Sequence, residues 1–289
     1  MRKTDLTNLI ILILLIIPVF VTAGEPCGTY LGENNGVVAY ANIDDTGECG
    51  DPNEVDGVYM GIKWQCVEYT RRWWYREYGV VYGTIERAYQ VWDQINEAEK
   101  VNDGTNVPLD KYSNGTSVKP RPGDLLVFDQ SPTNTYGHVA IITEISFTDE
   151  YVRIAEQNVD NSIWENGRSY ARELDLLVNN GNYTIDETYL FGWKRIRLSE
   201  LYEVGEGSGD VQLFVDAYNR NNGSSNGWYP ITPVFTEGTG QMQEFVASDD
   251  AHLIISLANG ANCSFATYGA IYNKYNSLGR GNSFLGYPT

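Results

Sequence analysis

Hydrophobic and polar positions follow a helical period in one early segment of the chain. Between Trp64 and Tyr78, residues such as Val67 and Trp74 fall on one face at the 3.6-residue period. Gly79 then supplies the residue type at which helices commonly end. The pattern predicts a helix from Trp64 to Tyr78.

Later segments of the same region have the pattern of strands. Three runs rich in β-branched residues are bounded by Pro-Gly, Gly and Asp turn signals: Asp124–Phe128, Gly137–Ile145 and Tyr151–Gln157. Ser146–Glu150 forms the predicted turn between the last two.

The composition changes about two-thirds of the way along the chain. Residues 203–210, rich in Gly and Glu, are typical of a flexible linker. We therefore predict a first domain over residues 24–202 and a second over 211–289. In the second domain, Tyr218 precedes Tyr229-Pro230 much as Tyr275 precedes Tyr287-Pro288, which indicates a weak internal repeat.

The first 23 residues have the parts of a secretory signal peptide: a basic start, an apolar run from Leu9 to Val21 and small residues before Gly24. This run is shorter than the roughly 20 residues that span a membrane. We expect a secreted or cell-surface protein whose mature chain begins near Gly24. A retained N-terminal anchor is the alternative.

The charge of the chain limits its partners. The formal net charge is −18 over 289 residues. Nucleic-acid binding needs clustered Lys and Arg, so this acidity argues against a nucleic-acid partner.

The chain contains four cysteines, which can form disulfides or remain free thiols. In an oxidising compartment cysteines usually pair, and Cys66 as half of a disulfide is one interpretation. In the other, Cys27 and Cys49 close the loop between them and leave Cys66 free. Cys263 is then an odd thiol, expected to be a small buried hydrophobe.

Cys66 lies in the first turn of the predicted helix. Unpaired backbone N–H groups and the helix dipole stabilise a thiolate there, which makes Cys66 a candidate nucleophile. Its backbone N–H, together with Gln65, is a candidate oxyanion donor.

His138 is the candidate general base. Pairing of the last two strands around a centre near Phe147 places His138 directly across from Glu156, because side chains alternate faces with period two. Glu156, or Asn158 one step further, would then orient the imidazole. A β-bulge would break this register.

The remaining polar candidates carry weaker signals. Glu68 is interpreted as an ordinary helix carboxylate, and His252 as a structural histidine. Arg71 is a candidate for binding a substrate carboxylate. Two distant histidines without ligand spacing predict no metal site, and nothing indicates a cofactor.

Four motifs resemble the cysteine, histidine-dependent amidohydrolase/peptidase (CHAP) domain, most closely the amidase half of glutathionylspermidine synthetase/amidases and trypanothione synthetases. The order and spacing agree over roughly residues 28–197. The motifs are Gly28–Gly32, Tyr59–Tyr69, Gly137–Thr143 and Arg153–Asn158.

This resemblance implies a papain-like α+β fold, with the Cys-bearing helix packed on an antiparallel sheet that carries His138. It implies Cys66 as nucleophile, Glu156 as orienting acid and Arg71 beside the substrate. We expect the chain to differ from these enzymes in lacking a synthetase half and in carrying a signal peptide.

The second domain resembles LGFP repeats, at Asp216–Asn221 and again at Gly269–Tyr275 with Ser283–Thr289. Such repeats are similar to cell-envelope association modules, so we expect envelope binding through residues 211–289. The last copy stops where these repeats usually continue, which is typical of a truncated chain.

Together these features predict a secreted cysteine amidase or peptidase acting on a peptide or peptide-like amide. Candidate substrates are a cell-wall peptide and a glutathionylspermidine-like conjugate. The alternative is a surface-binding protein whose CHAP-like domain is not catalytic.

Overall fold

The computed structural model describes residues 24–43, 49–165, 167–247 and 251–280. The predicted signal peptide lies outside these residues. Within them the chain forms a mixed helix and sheet structure, and the predicted α+β class is confirmed. No helix of the described part has the length and apolar character that crossing a membrane requires.

The N-terminal part contains thirteen of the described strands and two helices. The helices are α1 (Cys66–Tyr78) and α2 (Val91–Gln94), with a short 3₁₀ turn at Ala88–Gln90. The strands are β1 (Tyr30–Asn34), β2 (Val37–Tyr40), β3 (Pro52–Val55), β4 (Val58–Ile62), β5 (Val80–Tyr82), β6 (Glu97–Lys100), β7 (Asn106–Ser113), β8 (Leu125–Phe128), β9 (His138–Ser146), β10 (Tyr151–Ala155), β11 (Arg172–Asn179), β12 (Asn182–Ile185) and β13 (Leu190–Ile196).

Nine of these strands form one antiparallel sheet in the order β12-β11-β10-β9-β8-β13-β7-β6-β5. In its centre both faces are buried. Leu125 and Ile141 belong to the core beneath α1, whereas their neighbours Leu126 and Ile142 pack in a second cluster on the other face. Burial on both faces explains why these strands read as continuous apolar runs.

The predicted helix is confirmed as α1, which begins at Cys66 rather than Trp64. Its last turn ends at Gly79, whose left-handed backbone (φ 66°) lets its N–H bond the Tyr75 carbonyl oxygen at 2.9 Å. Trp74 is fully buried and donates its indole N–H to Gly123 O at 3.0 Å. These contacts hold α1 against the sheet.

The loop before β3 contains a disulfide bond. Cys27 and Cys49 are joined, while Cys66 and Cys263 are free thiols. The interpretation that leaves Cys66 unpaired is therefore confirmed.

The C-terminal part has its own antiparallel sheet, in the order β14-β16-β17-β18 with β15 paired to β16. Its elements are α3 (Val211–Arg220), β14 (Tyr229–Pro230), β15 (Phe235–Glu237), β16 (Gly240–Val246), β17 (His252–Ala258), β18 (Phe265–Tyr268) and α4 (Gly269–Ser277).

The predicted linker, residues 203–210, is hydrogen-bonded to this second sheet. Gly205 N–H donates to Gln243 Oε1 at 2.7 Å, and Gln243 Nε2 donates to Glu203 O at 2.7 Å. Tyr218 and Tyr275 of the proposed repeat lie on α3 and α4, but the second Tyr-Pro pair is outside the described residues. The repeat stays a prediction.

Gly137 determines how β9 begins, one residue before His138. Its φ is 68°, and an added Cβ would lie 2.6 Å from Phe128 O and 2.8 Å from Tyr89 Cβ. Only glycine fits this conformation and this space.

We expect Gly137→Ala to lower the free energy of unfolding by about 2–5 kcal/mol, because it adds backbone strain to steric overlap. Gly181→Ala is the matched control, since Gly181 has a similar φ of 78° but nothing within 4 Å of an added Cβ. It should cost only about 1–2 kcal/mol. Urea unfolding measures both, and equal losses would contradict the steric argument.

Candidate active site

Three buried side chains from separate elements meet at one point. Cys66 is the first residue of α1, His138 the first of β9, and Glu156 directly follows β10. His138 Nε2 lies 2.8 Å from Glu156 Oε2, and the Cys66 thiol is also hydrogen-bonded to the imidazole. Because Nε2 faces Glu156, Nδ1 is the nitrogen left for the thiol.

The strand register that brings His138 to Glu156 differs from the prediction. Tyr151 pairs with Ser146, so the turn is residues 147–150 and is not centred on Phe147. A bulge between Arg153 and Ile154 then shifts the register by one residue. The predicted directly opposite pairing of His138 and Glu156 is wrong.

His138 and Glu156 still meet because the shifted turn and the bulge together move the strand register by two residues, which keeps both side chains on one face. Beyond the bulge Ala155 pairs with Ile141, so continuing the ladder would place Glu156 opposite Ala140. His138 is two residues from Ala140 and shares its face. Glu156 therefore reaches His138 diagonally.

The thiol is set up to ionise. Burial raises the pKa of Cys66. The charge and hydrogen bond of His138 and the backbone N–H groups of Val139 and Val67 lower it by more than burial raises it, so the pKa of the thiol is below its ordinary value. The N-terminal position on α1 acts in the same direction. The arrangement favours a thiolate beside an imidazolium.

His138 and Glu156 titrate as one coupled set with the thiol. Burial lowers the pKa of His138, but the charges and hydrogen bonds of Cys66 and Glu156 raise it to about 9. Burial raises the pKa of Glu156, but His138 and Arg172 lower it to about 2. Glu156 is thus a carboxylate at neutral pH.

Arg172, at the start of β11, is a contributor that the sequence did not indicate. Its guanidinium contacts both carboxylate oxygens of Glu156, with Nη2 at 3.1 Å from Oε2. Its Nη1 donates to Glu187 Oε1 at 2.8 Å. The only local signal was a charged residue at a strand end, which is common on protein surfaces.

Cys66 opens onto a cavity of about 560 Å³. Gln65 and Asn158 line the same cavity, and Asn158 Nδ2 donates to Gln65 Oε1 at 2.8 Å. Asn158 therefore holds the Gln65 amide, and Glu156 is the residue that contacts the imidazole.

Arg71 also lines this cavity, although it is 95 % buried. Its Nη2 donates to Tyr59 O at 2.8 Å. Its Nε and Nη1 are buried without a hydrogen-bond partner among the described residues. A cationic fork with two unused donors suits a carboxylate.

Glu68, interpreted from the sequence as an ordinary helix carboxylate, has a buried environment in the structure. It is fully buried and paired with Arg72 on the next turn of α1. Helical spacing alone gave no signal of this, because Glu68 lies on a different face from Val67 and Trp74.

The other ionisable candidates lie elsewhere. His252 is in β17 of the C-terminal sheet, stacked on Tyr272 with ring centroids 5.4 Å apart. In the described part of the chain, no cluster of three or more His, Cys, Asp or Glu side chains could hold a metal ion.

Two named proteins are similar in sequence to this chain. The chain is 34 % identical over 239 residues to the bifunctional glutathionylspermidine synthetase/amidase of Escherichia coli (strain K12), covering 75 % of this chain and 38 % of that protein. It is 36 % identical over 149 residues to a trypanothione synthetase of Crithidia fasciculata, covering 52 % and 22 %. The chain thus spans less than two-fifths of the length of these relatives.

A family profile covers the site itself. Residues 57–158, which contain Cys66, His138 and Glu156, match the profile of the CHAP domain. Residues 57–158 are therefore a CHAP domain, and the chain is homologous to the glutathionylspermidine synthetase/amidases.

Proposed function

We propose that the chain is an exported cysteine amidase or peptidase that hydrolyses an amide C–N bond. The observation that carries the proposal is the buried Cys66–His138–Glu156 set opening onto a cavity large enough for a peptide-like substrate.

In the first half of the reaction, the Cys66 thiolate attacks the carbonyl carbon of the substrate. The C–S bond forms and the carbonyl electron pair moves onto oxygen. As this oxyanion collapses, the C–N bond breaks, the His138 imidazolium donates its proton to the leaving nitrogen, and a thioester remains on Cys66.

In the second half, neutral His138 removes a proton from water, and the resulting hydroxide attacks the thioester carbonyl. The C–S bond breaks, the carboxylic acid product leaves, and the thiolate–imidazolium pair returns. Glu156 holds the ring orientation throughout and stabilises its charged form, and Arg172 holds Glu156.

The oxyanion is assigned to donors at the start of α1. The Cys66 backbone N–H lies in the first helical turn, where such groups have no intrahelical acceptor. The Gln65 side chain, held through its Oε1 by Asn158, leaves its amide N–H₂ as the second candidate donor.

The substrate is an amide in a cell-wall peptide or in a glutathionylspermidine-like conjugate. The name of the Escherichia coli relative supports the second class. Arg71 supports a free carboxylate on the substrate, because this arginine lines the Cys66 cavity and keeps two donors without a hydrogen-bond partner among the described residues.

Export rests on the N-terminal pattern of residues 1–23 and on the disulfide between Cys27 and Cys49, which is characteristic of oxidising compartments. Binding to a cell envelope through residues 211–289 is part of the same proposal. A chain that remains inside the cell with residues 1–23 attached would contradict export.

Replacing the nucleophile tests the chemistry. We expect Cys66→Ala to lower amine release from cell-wall peptides and glutathionylspermidine by at least about a thousandfold, because no thioester can form. Cys263→Ser is the matched control and should retain activity.

Equal turnover by Cys66→Ala and the native chain would remove Cys66 from the mechanism. A native chain that binds cell-envelope material but releases no amine from either substrate would instead favour a non-catalytic surface-binding protein.

The pH dependence follows from the coupled pair. The thiolate forms as pH rises through the lowered pKa of Cys66, and the proton needed by the leaving nitrogen is lost as pH rises through the His138 pKa of about 9. We expect kcat/KM for amide hydrolysis to rise and then fall, with the alkaline limb near pH 9.

Glu156→Gln should move that alkaline limb to lower pH, because the imidazolium loses its carboxylate partner. Alkylation of Cys66 by iodoacetamide needs no proton donor, so its rate should not fall above pH 9. An unchanged alkaline limb in Glu156→Gln would contradict the assigned roles.

Arg71→Met should raise KM about ten- to a hundredfold for substrates with a free carboxylate, because it removes a charge-assisted contact worth about 1.5–3 kcal/mol. Arg76→Met, on an exposed position of the same helix, is the control. Comparing each substrate with its carboxamide form isolates the contact. The same loss on both forms would contradict carboxylate binding.

A further inference from the structure

A buried polar network lies beside the three site residues and takes no part in the steps above. Its centre is the pair Glu68 and Gln157, which are 0 % and 2 % exposed. Glu68 is two residues after Cys66, and Gln157 directly follows Glu156. Polar groups this deeply buried are costly unless their hydrogen bonds are made.

Glu68 is satisfied on every side by groups from three segments. It accepts hydrogen bonds from Asn53 Nδ2 at 2.7 Å and from Gln157 Nε2 at 2.6 Å, and it forms an ion pair with Arg72. Arg72 in turn donates to Val38 O at 2.9 Å. The network thus joins α1 to β2, β3 and the segment after β10.

The side-chain amide of Gln157 bridges the N-terminus of α1, β2 and the segment after β10. Its Nε2 donates to Gln65 O at 2.9 Å as well as to Glu68, while its Oε1 accepts from Tyr40 N at 3.1 Å. Gln65 O belongs to the peptide group whose nitrogen is that of Cys66. The Gln157 side chain therefore connects the Gln65–Cys66 peptide group to the backbone that directly follows Glu156.

We infer that Gln157, supported by Glu68, is a positioning residue that holds the N-terminus of α1 at the distance from β9 and β10 at which Cys66 meets His138. This inference rests on the proposed function. Neither side chain contacts His138 in the described hydrogen bonds: Gln157 acts through the backbone of Gln65 and Tyr40, and Glu68 acts through Gln157.

The placement has a large effect because the reacting groups must meet closely. A displacement of about 1 Å can cost about a hundredfold in rate. Loss of the Cys66–His138 contact also removes the charge and hydrogen bond of His138, which are the largest of the interactions that lower the thiol pKa, so the pKa rises.

The test is Gln157→Met in a Cys263→Ser background, since Met keeps the side-chain length and removes the amide. We expect kcat to fall about ten- to a hundredfold with KM changed less than about threefold. The pH at which iodoacetamide alkylation of Cys66 reaches half its maximum rate should rise.

Asp124→Asn is the matched control. Asp124 is also fully buried and paired with an arginine, Arg195 at 2.7 Å, but it lies outside the Cys66 cavity. It should lower thermal stability without moving the alkylation profile. If Gln157→Met lowers stability to the same extent and leaves both kcat and the alkylation profile unchanged, its role is structural and the inference fails.

Gln157→Asn provides a second variant that keeps an amide on a shorter side chain. It should fold, reach only part of the network and give an intermediate alkylation shift, whereas a native alkylation profile would overturn the inference. Alkylation reports the geometry without any substrate. If the native chain releases no amine while the two Gln157 variants still shift the alkylation profile, the proposed amidase function fails and the positioning role stands.

Discussion

The structure depends on a charged pair, Cys66 and His138, whose side chains are largely buried. A buried thiolate next to a buried imidazolium is favourable only if each charge keeps its partner, because isolated charges are strongly destabilised by desolvation. Glu156 and Arg172 supply the outer partners. The site is therefore a chain of alternating charges that links the N-terminus of α1 to β11.

The local features of this site were predictable from sequence. The helix that begins at Cys66 and the strand that begins at His138 follow from periodicity and glycine signals, which depend on neighbouring residues alone. The face shared by His138 and Glu156 was predicted correctly through an incorrect register. Parity of spacing survives a slip of two residues, whereas the identity of a directly opposite pair does not.

The features that sequence did not reveal depend on contacts between distant segments. Arg172 and Gln157 contribute through residues that are distant in the chain, and no local pattern distinguishes them from surface polar residues. The order of nine strands is set by the same long-range packing. Glu68 shows the limit most clearly, since a carboxylate on a helix reads as solvent-facing unless its partners are known.

The two sides of the cavity differ in their constraints. Cys66 lies at the start of α1 and belongs to the buried core, whereas Glu86 and Tyr136, which line the same cavity, are exposed residues outside the helices and strands. Loops tolerate substitution far better than packed elements. Substitution of these exposed lining residues can therefore change which amides the cavity accepts without disturbing the packed element that carries the nucleophile.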